Sequence, residues 1–530
     1  MKALLMHRDR DFDVESRLPS NEPILTQDLE LNTLLGAMAA GDKFLYDVAR
    51  AAVFSGLQNE IDTVLHRQAI LKDCVANSES VRGLYALTVD ATDNTKRLWW
   101  DLSSHYPDSV LFGAVSLLDS LVEMLRKLRS AAQAAGDRFR SEGFTTLFAM
   151  LQQELGDEYL ATIEQYLAEL KFRDGTLLGA ALGENNDGIN YILTRPPKRG
   201  PNWFRRLLTK APPGYTFRLD PRDEAGARII SGVRQRGISR VAITLAQSAD
   251  HVLSFFKMLR TELAFYVGCL NLHDKLAAKQ EPVCFPVPAS ADERKHRFRG
   301  LYDVCLSLHM DRGLVGNEAD ANGKSIAIIT GANQGGKSSF LRSIGLAQLM
   351  MQCGMFVGAE AFEAELCPAL FTHYKREEDS TMKGGKLDEE LARMSDIADH
   401  ITRNSILLLN ESFAATNERE GAEIASQIVR AMLERQVKVF FVTHLYEFAR
   451  GFFDKKSDSA LFLRAERLAD GTRTFKLLPH EPLETSYGED LYREIFGAND
   501  GSNIAPISND VRVKLEASHS AACGSMLHEP

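Results

Sequence analysis

IAIITGANQGGKSS, residues Ile326 to Ser339, is an apolar β-type run that stops at a Gly-rich loop closing on Lys and two Ser. Gly331 to Ser338 fits G-x-x-x-x-G-K-[ST], the P-loop. Its glycines let backbone N–H groups approach phosphates, Lys337 reaches the β/γ oxygens and the Ser338 hydroxyl faces Mg²⁺. Phe340 to Met351 follows with helical apolar spacing, so bound phosphates would sit at a helix N-terminus. A strand before the loop and a helix after it make this a nucleotide site, with Gly331, Asn333, Gln334, Gly335, Gly336, Lys337, Ser338 and Ser339 as the triphosphate-binding residues.

Outward from this loop, the chain has 530 residues, 45% hydrophobic and 25% charged, which is ordinary for a soluble globular protein of two or more domains. Seven Cys are scattered, odd in number and without a C-x-x-C pair, arguing for a reducing compartment and against a disulfide framework or structural zinc. Residues 1–15 offer an apolar run too short for a signal peptide, and no stretch of eighteen apolar residues occurs. The expected location is therefore cytoplasmic, without membrane association. Net charge is −10, but Arg195 to Arg240 holds twelve Arg and Lys against three acids, a net of +9 that leaves −19 for the rest. A basic element on an acidic body can grip a phosphate backbone without making the whole surface adhesive.

Residues 1–27 read as a polar lead without a period. From Asp28 the spacing is helical, with one stripe of Leu117, Leu118, Leu121, Val122, Leu125 and Leu128 and another from Phe144 through Leu151, Tyr159, Ile163 and Tyr166 to Leu170. Such stripes are ordinarily helix-to-helix core. Between Gly175 and Arg240 the helical period fails, Pro accumulates, and YILTR and YTFRL alternate as strands do. This basic window is either a solvated loop whose Arg residues pair with the acidic body, or a small β-rich module touching nucleic-acid backbone. Arg195, Lys198, Arg199, Arg205, Arg206 and Lys210 are its candidate DNA contacts. Helical spacing resumes from Val241 to Ala277. The predicted division is a lead (1–27), a helical domain (28–280) with the β-rich insertion at about 175–240, a Pro-rich linker (281–300), an α/β domain (301–497) and a disordered tail (498–530). The α/β domain has strands predicted at Ile326–Thr330, Leu370–Tyr374, Ile406–Leu409 and Val437–Val442, then a hairpin about Ala469 to Thr472.

SILLLNES, Ser405 to Ser412, is a buried strand ending in a polar pair, where a Walker B motif sets Asp toward Mg²⁺ and Glu toward the attacking water. Here the pair is Asn410 and Glu411. Glu411 can serve as general base, whereas Asn410 can hydrogen-bond a metal-bound water but brings no negative charge. Ser338 and Asn410 are thus the candidate metal-facing residues. VFFVTH, Val439 to His444, is a second buried strand ending in a His placed to sense the γ-phosphate, so Glu411 and His444 are the candidate catalytic pair.

These residues carry a resemblance. TGANQGGKSS is similar to the TGPNMGGKST loop of the MutS family of DNA mismatch-repair ATPases, whose ATPase core is of the ABC type. GMFVGAE (Gly354–Glu360) resembles that family's GxFVPAE, Glu378 and Asp379 fall at its paired acids, and SILLLNESFAATNEREG resembles its Walker B stretch, keeping Glu411, Thr416 and Gly421. THLYEF and Ser486-Tyr487-Gly488 resemble its THYxEL and SYG. The resemblance implies a multidomain fold: a mostly α-helical core and lever with a β clamp on DNA, then an α/β P-loop ATPase domain. It also implies ATP and Mg²⁺ as cofactors, double-stranded DNA as partner and a homodimer whose ATPase heads complete each other's sites. The chain departs from the family in lacking a mismatch-reading domain with its Phe-x-Glu wedge before residue 28. It departs again in STMKGGKLDEELARM (Ser380–Met394), which replaces SGRSTFMVEM and leaves Ser380 or Gly384-Gly385 to approach the partner's γ-phosphate.

The leading expectation is a DNA-binding ATPase of repair or recombination, acting on mismatched, branched or otherwise irregular DNA. Asn410 motivates a second reading, a nucleotide-gated switch with little hydrolysis, against which Glu411 and His444 argue. A chromosome-organising ABC ATPase of the SMC type ranks last, because the helical segments show no sustained heptads.

Overall fold

The computed structural model describes residues 1–95, 106–173, 175–185, 187–195, 215–376 and 385–483. These residues form a mixed helical and α/β molecule, with three sheets among the described residues. Helices fill the first half, from Glu22–Asp28 through Pro107–Ala135 to Asp157–Leu170. Their starts follow local chemistry: the Asp42 carboxylate accepts from the Phe44 and Leu45 N–H groups at the head of Lys43–Ser55, and Pro107 opens Pro107–Ala135 at the position where its missing N–H costs nothing. The Leu117 to Leu128 stripe is buried as its spacing requires. In Asp157–Leu170 only Leu160 and Leu167 are buried, and Tyr159 and Tyr166, assigned to the core stripe above, stand exposed.

A hairpin of β1 (Leu178–Leu182) and β2 (Gly188–Leu193) precedes one helix of 55 residues, Glu224–Ala278. At 1.5 Å per residue it is about 80 Å long. Helical structure thus begins well before Val241. Gly226, Gly232 and Gly237 suggest loop in the sequence, yet Gly237 is where β1 meets the helix: a Cβ there would lie 2.4 Å from Leu178. Toward its C-terminus the helix is buried (Phe256, Leu259, Leu263, Tyr266), whereas Ile229, Ile230 and Ile243 near its start are exposed.

In the second half, residues 287–301 form β3 (Val287–Ala289) and β4 (His296–Leu301) rather than a linker. Together with β5 (Asn317–Asp320) and β7 (Ala361–Glu365) they make a sheet of order β3-β7-β4-β5. The alternation of His296 and Phe298 inward with Arg297 and Arg299 outward is the physical reason. The second sheet has the order β12-β11-β6-β10-β9-β8, from β6 (Ile326–Gly331), β8 (Leu370–Tyr374), β9 (Ile406–Asn410), β10 (Lys438–Val442), β11 (Ala460–Arg467) and β12 (Arg473–Pro479). Its strands are parallel except for the β11–β12 hairpin. Ile326, Ile328, Leu407, Leu409, Val439 and Phe441 face one core and Ala327, Ile329, Leu408, Phe440 and Val442 the other. Burial on both faces explains their unbroken apolar reading.

One core is continuous from the helical half into this sheet. The first residues belong to it: Leu5, Met6 and Phe12 are buried, and their N–H groups donate to Glu262 at 2.6, 3.2 and 3.1 Å. Arg67, fully buried, donates to the carbonyls of Met6 and Cys353. The segment assigned above to a polar lead is therefore a strap clamped between the long helix and Ile61–Ala76, its partners too distant in sequence to give a local period. Among the described residues the cysteines are free, and no helix is long and apolar enough to cross a membrane.

Candidate nucleotide site

β6 ends at Gly331 and helix Lys337–Gln352 begins after five residues. Gly331 has φ +112° and Gly336 φ +84°, values that L side chains rarely adopt. Gly331 and Gly335 lie against β11, where a Cβ on either would come within 2.8 Å of Ala465. The pattern's glycines are thus required by both backbone conformation and packing. Gln334 is itself left-handed at φ +59°.

Lys337 is 5% exposed, and its Nζ donates to the carbonyls of Gly331 at 3.0 Å and Ala332 at 2.9 Å. Burial pushes its ammonium down to about 8, with Glu411 opposing the shift and Arg473 adding to it. The cation closes its own loop and is placed to exchange those two carbonyls for phosphate oxygens. Arg473, on β12, donates from Nε to the Asn333 carbonyl at 2.7 Å. A second cation therefore braces the loop, and the helix dipole adds positive potential at the same place.

Across the loop, the Ser338 hydroxyl donates to Asn410 Oδ1 at 3.1 Å, which brings the two metal-facing candidates together. Among the described residues no group of three or more His, Cys, Asp or Glu side chains could hold a metal ion. A cation here would be shared with phosphate and water, the usual arrangement for Mg²⁺. Ser338 and Asn410 fit that role, offering two neutral oxygens and leaving the charge to the phosphates.

Glu411 follows at φ +53°, its N–H donating to the Val442 carbonyl at 2.8 Å. Its carboxylate lies 3.0 Å from His444 Nε2. That hydrogen bond is the chief cause holding the Glu411 carboxyl below the usual range, against burial and with help from Lys337 and Lys375. The catalytic candidates, from adjacent strands β9 and β10, are therefore in contact. An ionised, partly exposed carboxylate held by an imidazole can accept a proton from water.

Asn333, Gln334, Gly335, Gly336, Lys337, Ser338, Ser339 and Glu411 line a cavity of about 470 Å³. Tyr302, Leu306, Met310, Leu314, Val315 and Phe475 give it an apolar wall as well. A phosphate-binding floor and an apolar wall suit a nucleotide, polar at one end and aromatic at the other. Sequence reasoning missed this wall, and also Asp303 and Arg342. Asp303 lines the cavity, is 3% exposed, and accepts from Arg342 Nε at 2.5 Å, while Arg342 also pairs with Glu30. This ties the loop's helix to the first helices of the chain.

Of the DNA candidates, Arg195 is described, and it is not brought to this site. Arg195 gives its guanidinium to Glu169, Nε at 2.7 Å and Nη2 at 2.5 Å, and stacks on Tyr166. For this residue the structure favours pairing with the body. Lys198, Arg199, Arg205, Arg206 and Lys210 lie outside the described residues, as do Glu378, Asp379, Ser380, Gly384, Ser486, Tyr487 and Gly488. Gly385 is the N-cap of helix Lys386–His400.

Comparison with known proteins adds the lineage. The sequence model of the MutS2 N-terminal domain matches residues 59–279, and that of MutS domain V matches residues 327–494. The DNA mismatch repair protein MutS of Leptospira interrogans (serovar Lai) is 30% identical over 262 residues, 47% of this chain and 30% of that protein. Its counterpart from Thermus aquaticus is 32% identical over 169 residues, 31% of this chain and 20% of that protein. MutS protein homolog 4 of Homo sapiens is 26% identical over 149 residues, 28% and 16% of the two chains. The chain spans less than a third of the length of these curated relatives. With one domain model matching the helical half, another the half that holds the Gly-rich loop, and curated MutS proteins as relatives, the chain belongs to the MutS family.

Proposed function

We propose that the chain is a MutS-type ATPase that couples ATP binding and hydrolysis to binding of irregular double-stranded DNA, as a homodimer joined through its ATPase heads. The observation that carries this reading is the meeting of Lys337, Ser338 and Glu411 at a nucleotide-sized cavity, with Asn410 hydrogen-bonded to Ser338 and His444 to Glu411. The N–H groups of residues 333–339 hold the triphosphate. Lys337 releases the Gly331 and Ala332 carbonyls and takes phosphate oxygens instead. Ser338 and Asn410 hold Mg²⁺, which supplies charge neutralisation at the phosphates. Glu411 takes the proton of the attacking water, and His444 fixes that carboxylate and reads the γ-phosphate.

DNA binding is assigned to the basic insertion and the exposed start of the long helix, where Arg218, Arg222, Arg228, Arg236 and Arg240 are exposed. Such contacts hold the backbone without reading sequence. The dimer is proposed from the family's plan, in which the nucleotide is sandwiched between heads. Asn410 favours a second reading, a nucleotide-gated switch that hydrolyses little, because no carboxylate occupies the metal-facing position.

Steady-state hydrolysis of ATP with Mg²⁺ separates the two, measured with and without linear and branched duplex DNA for the native chain, Lys337→Ala and Asn410→Asp. Turnover that needs Lys337 and responds to DNA supports the ATPase. Turnover no higher than that of Lys337→Ala, with ATP still bound, refutes it in favour of the switch, and recovery in Asn410→Asp places the cause in the missing charge.

A further inference from the structure

We infer that Glu390 is a positioning residue for the water-activating carboxylate of Glu411, acting through the turn that follows it; this rests on the ATPase reading above. Glu411 and Phe413 both occupy the left-handed region, at φ +53° and +64°. Two such residues, neither of them Gly, in three positions persist only where the surroundings impose the conformation. Glu390, on helix Lys386–His400 and 4% exposed, imposes it twice. Its carboxylate accepts from the Phe413 N–H at 2.9 Å. Its carbonyl accepts from His373 Nε2 at 3.0 Å, and His373 Nδ1 lies 2.7 Å from the Ser412 hydroxyl.

Burial holds His373 neutral, down to about 4. A carbonyl can only accept, so Nε2 carries the proton and Nδ1 is the acceptor; the Ser412 proton lies between Nδ1 and the His373 carbonyl, also 2.7 Å away. The His373 ring stacks on Phe413 at 5.4 Å and 18°. Gly421 approaches so closely that a Cβ would lie 2.4 Å from the Phe413 carbonyl. His373, Ser412 and Phe413 are all fully buried. Glu390 is absent from the cavity lining, so its removal takes no direct contact from a nucleotide there. With residues 412 and 413 fixed at N–H, hydroxyl and ring, the backbone that presents Glu411 to His444 is held in place.

Glu390→Ala removes the acceptor for the Phe413 N–H, and Glu390→Gln keeps an oxygen there. Expected for Glu390→Ala is a kcat lower by about tenfold to a hundredfold, the cost of a small misplacement of a reacting group, with KM and affinity for a fluorescent ATP analogue within twofold of native. Glu390→Gln is expected within about threefold of the native kcat, the weakening of one hydrogen bond. Should Glu390→Ala not fold, Ser412→Ala carries the test, with a lower kcat at unchanged KM. A kcat within twofold of native in the alanine variant, or a fall that Gln does not rescue, overturns the inference while leaving the ATPase standing. A native chain without turnover removes the ATPase reading and this inference together.

Discussion

Asn410→Asp restores a charge whose worth can be worked from the geometry. Asn410 Oδ1 lies 3.1 Å from the Ser338 hydroxyl, so a carboxylate there would stand about 4 Å from a cation on Ser338, where a single and a double charge attract by about 2 kcal/mol in water and about 8 kcal/mol at an effective dielectric of 20. Asn410 is only partly buried, which favours the lower figure. Repulsion from the adjacent Glu411 offsets about 1 kcal/mol of it. The remainder, about 1 kcal/mol, corresponds to about fivefold tighter Mg²⁺ binding. The assay is the Mg²⁺ concentration giving half-maximal affinity for a fluorescent ATP analogue, in the native chain and in Asn410→Asp. The expected change is a fall of about fivefold. A half-saturating concentration unchanged within twofold would refute the reasoning, because Asn410 would then not face the metal.

Other outcomes follow from the same coordinates. Since burial holds Lys337 at about 8 without nucleotide and phosphate must raise it, binding takes up a proton above that pH. ATP affinity is therefore level below pH 8 and falls by up to about tenfold per unit above it, and a flat profile from pH 7 to 9.5 would contradict the assignment. Arg342→Ala strands the buried carboxylate of Asp303 and is expected to cost about 3–5 kcal/mol in urea unfolding; a loss under 1 kcal/mol would show that water reaches Asp303. Replacing Arg218, Arg222, Arg236 and Arg240 by Ala should weaken duplex binding and reduce the salt slope by about 3–4, with unchanged affinity refuting the assignment of DNA to this surface. Gly421→Ala forces a methyl onto the Phe413 carbonyl and should lower kcat far more than ATP affinity, as titration of both will show.

The sequence made legible what depends on backbone conformation or burial on both faces. The Gly331 to Ser338 spacing exists because Gly331 and Gly336 adopt positive φ, and β6, β9 and β10 are short, nearly continuous apolar runs bounded by turns. Glu411 and His444 were legible because each ends such a run. The short strands β3, β4, β5 and β7 were not, since their outward faces carry Arg and Glu and the prolines near residue 286 pointed to a linker. Nor was the helical course of residues 224–240, where Gly237 serves packing against the hairpin. Contacts over long separations stayed hidden altogether: Arg67 with Met6 and Cys353, Glu262 with Leu5, and Glu390 with Phe413. Each of these residues is unremarkable in its own segment, and its role arises only when distant elements meet.

The most direct test of the account sets ATP affinity beside ATP turnover in Glu411→Gln, which keeps the size of the side chain and an oxygen for His444 but removes the base. The account predicts affinity within about threefold of native, one hydrogen bond being weakened, and turnover lower by about a hundredfold or more, the share of a general base. Turnover at the native rate would contradict it, since the carboxylate that β9 presents to the cavity would then play no part in the chemistry.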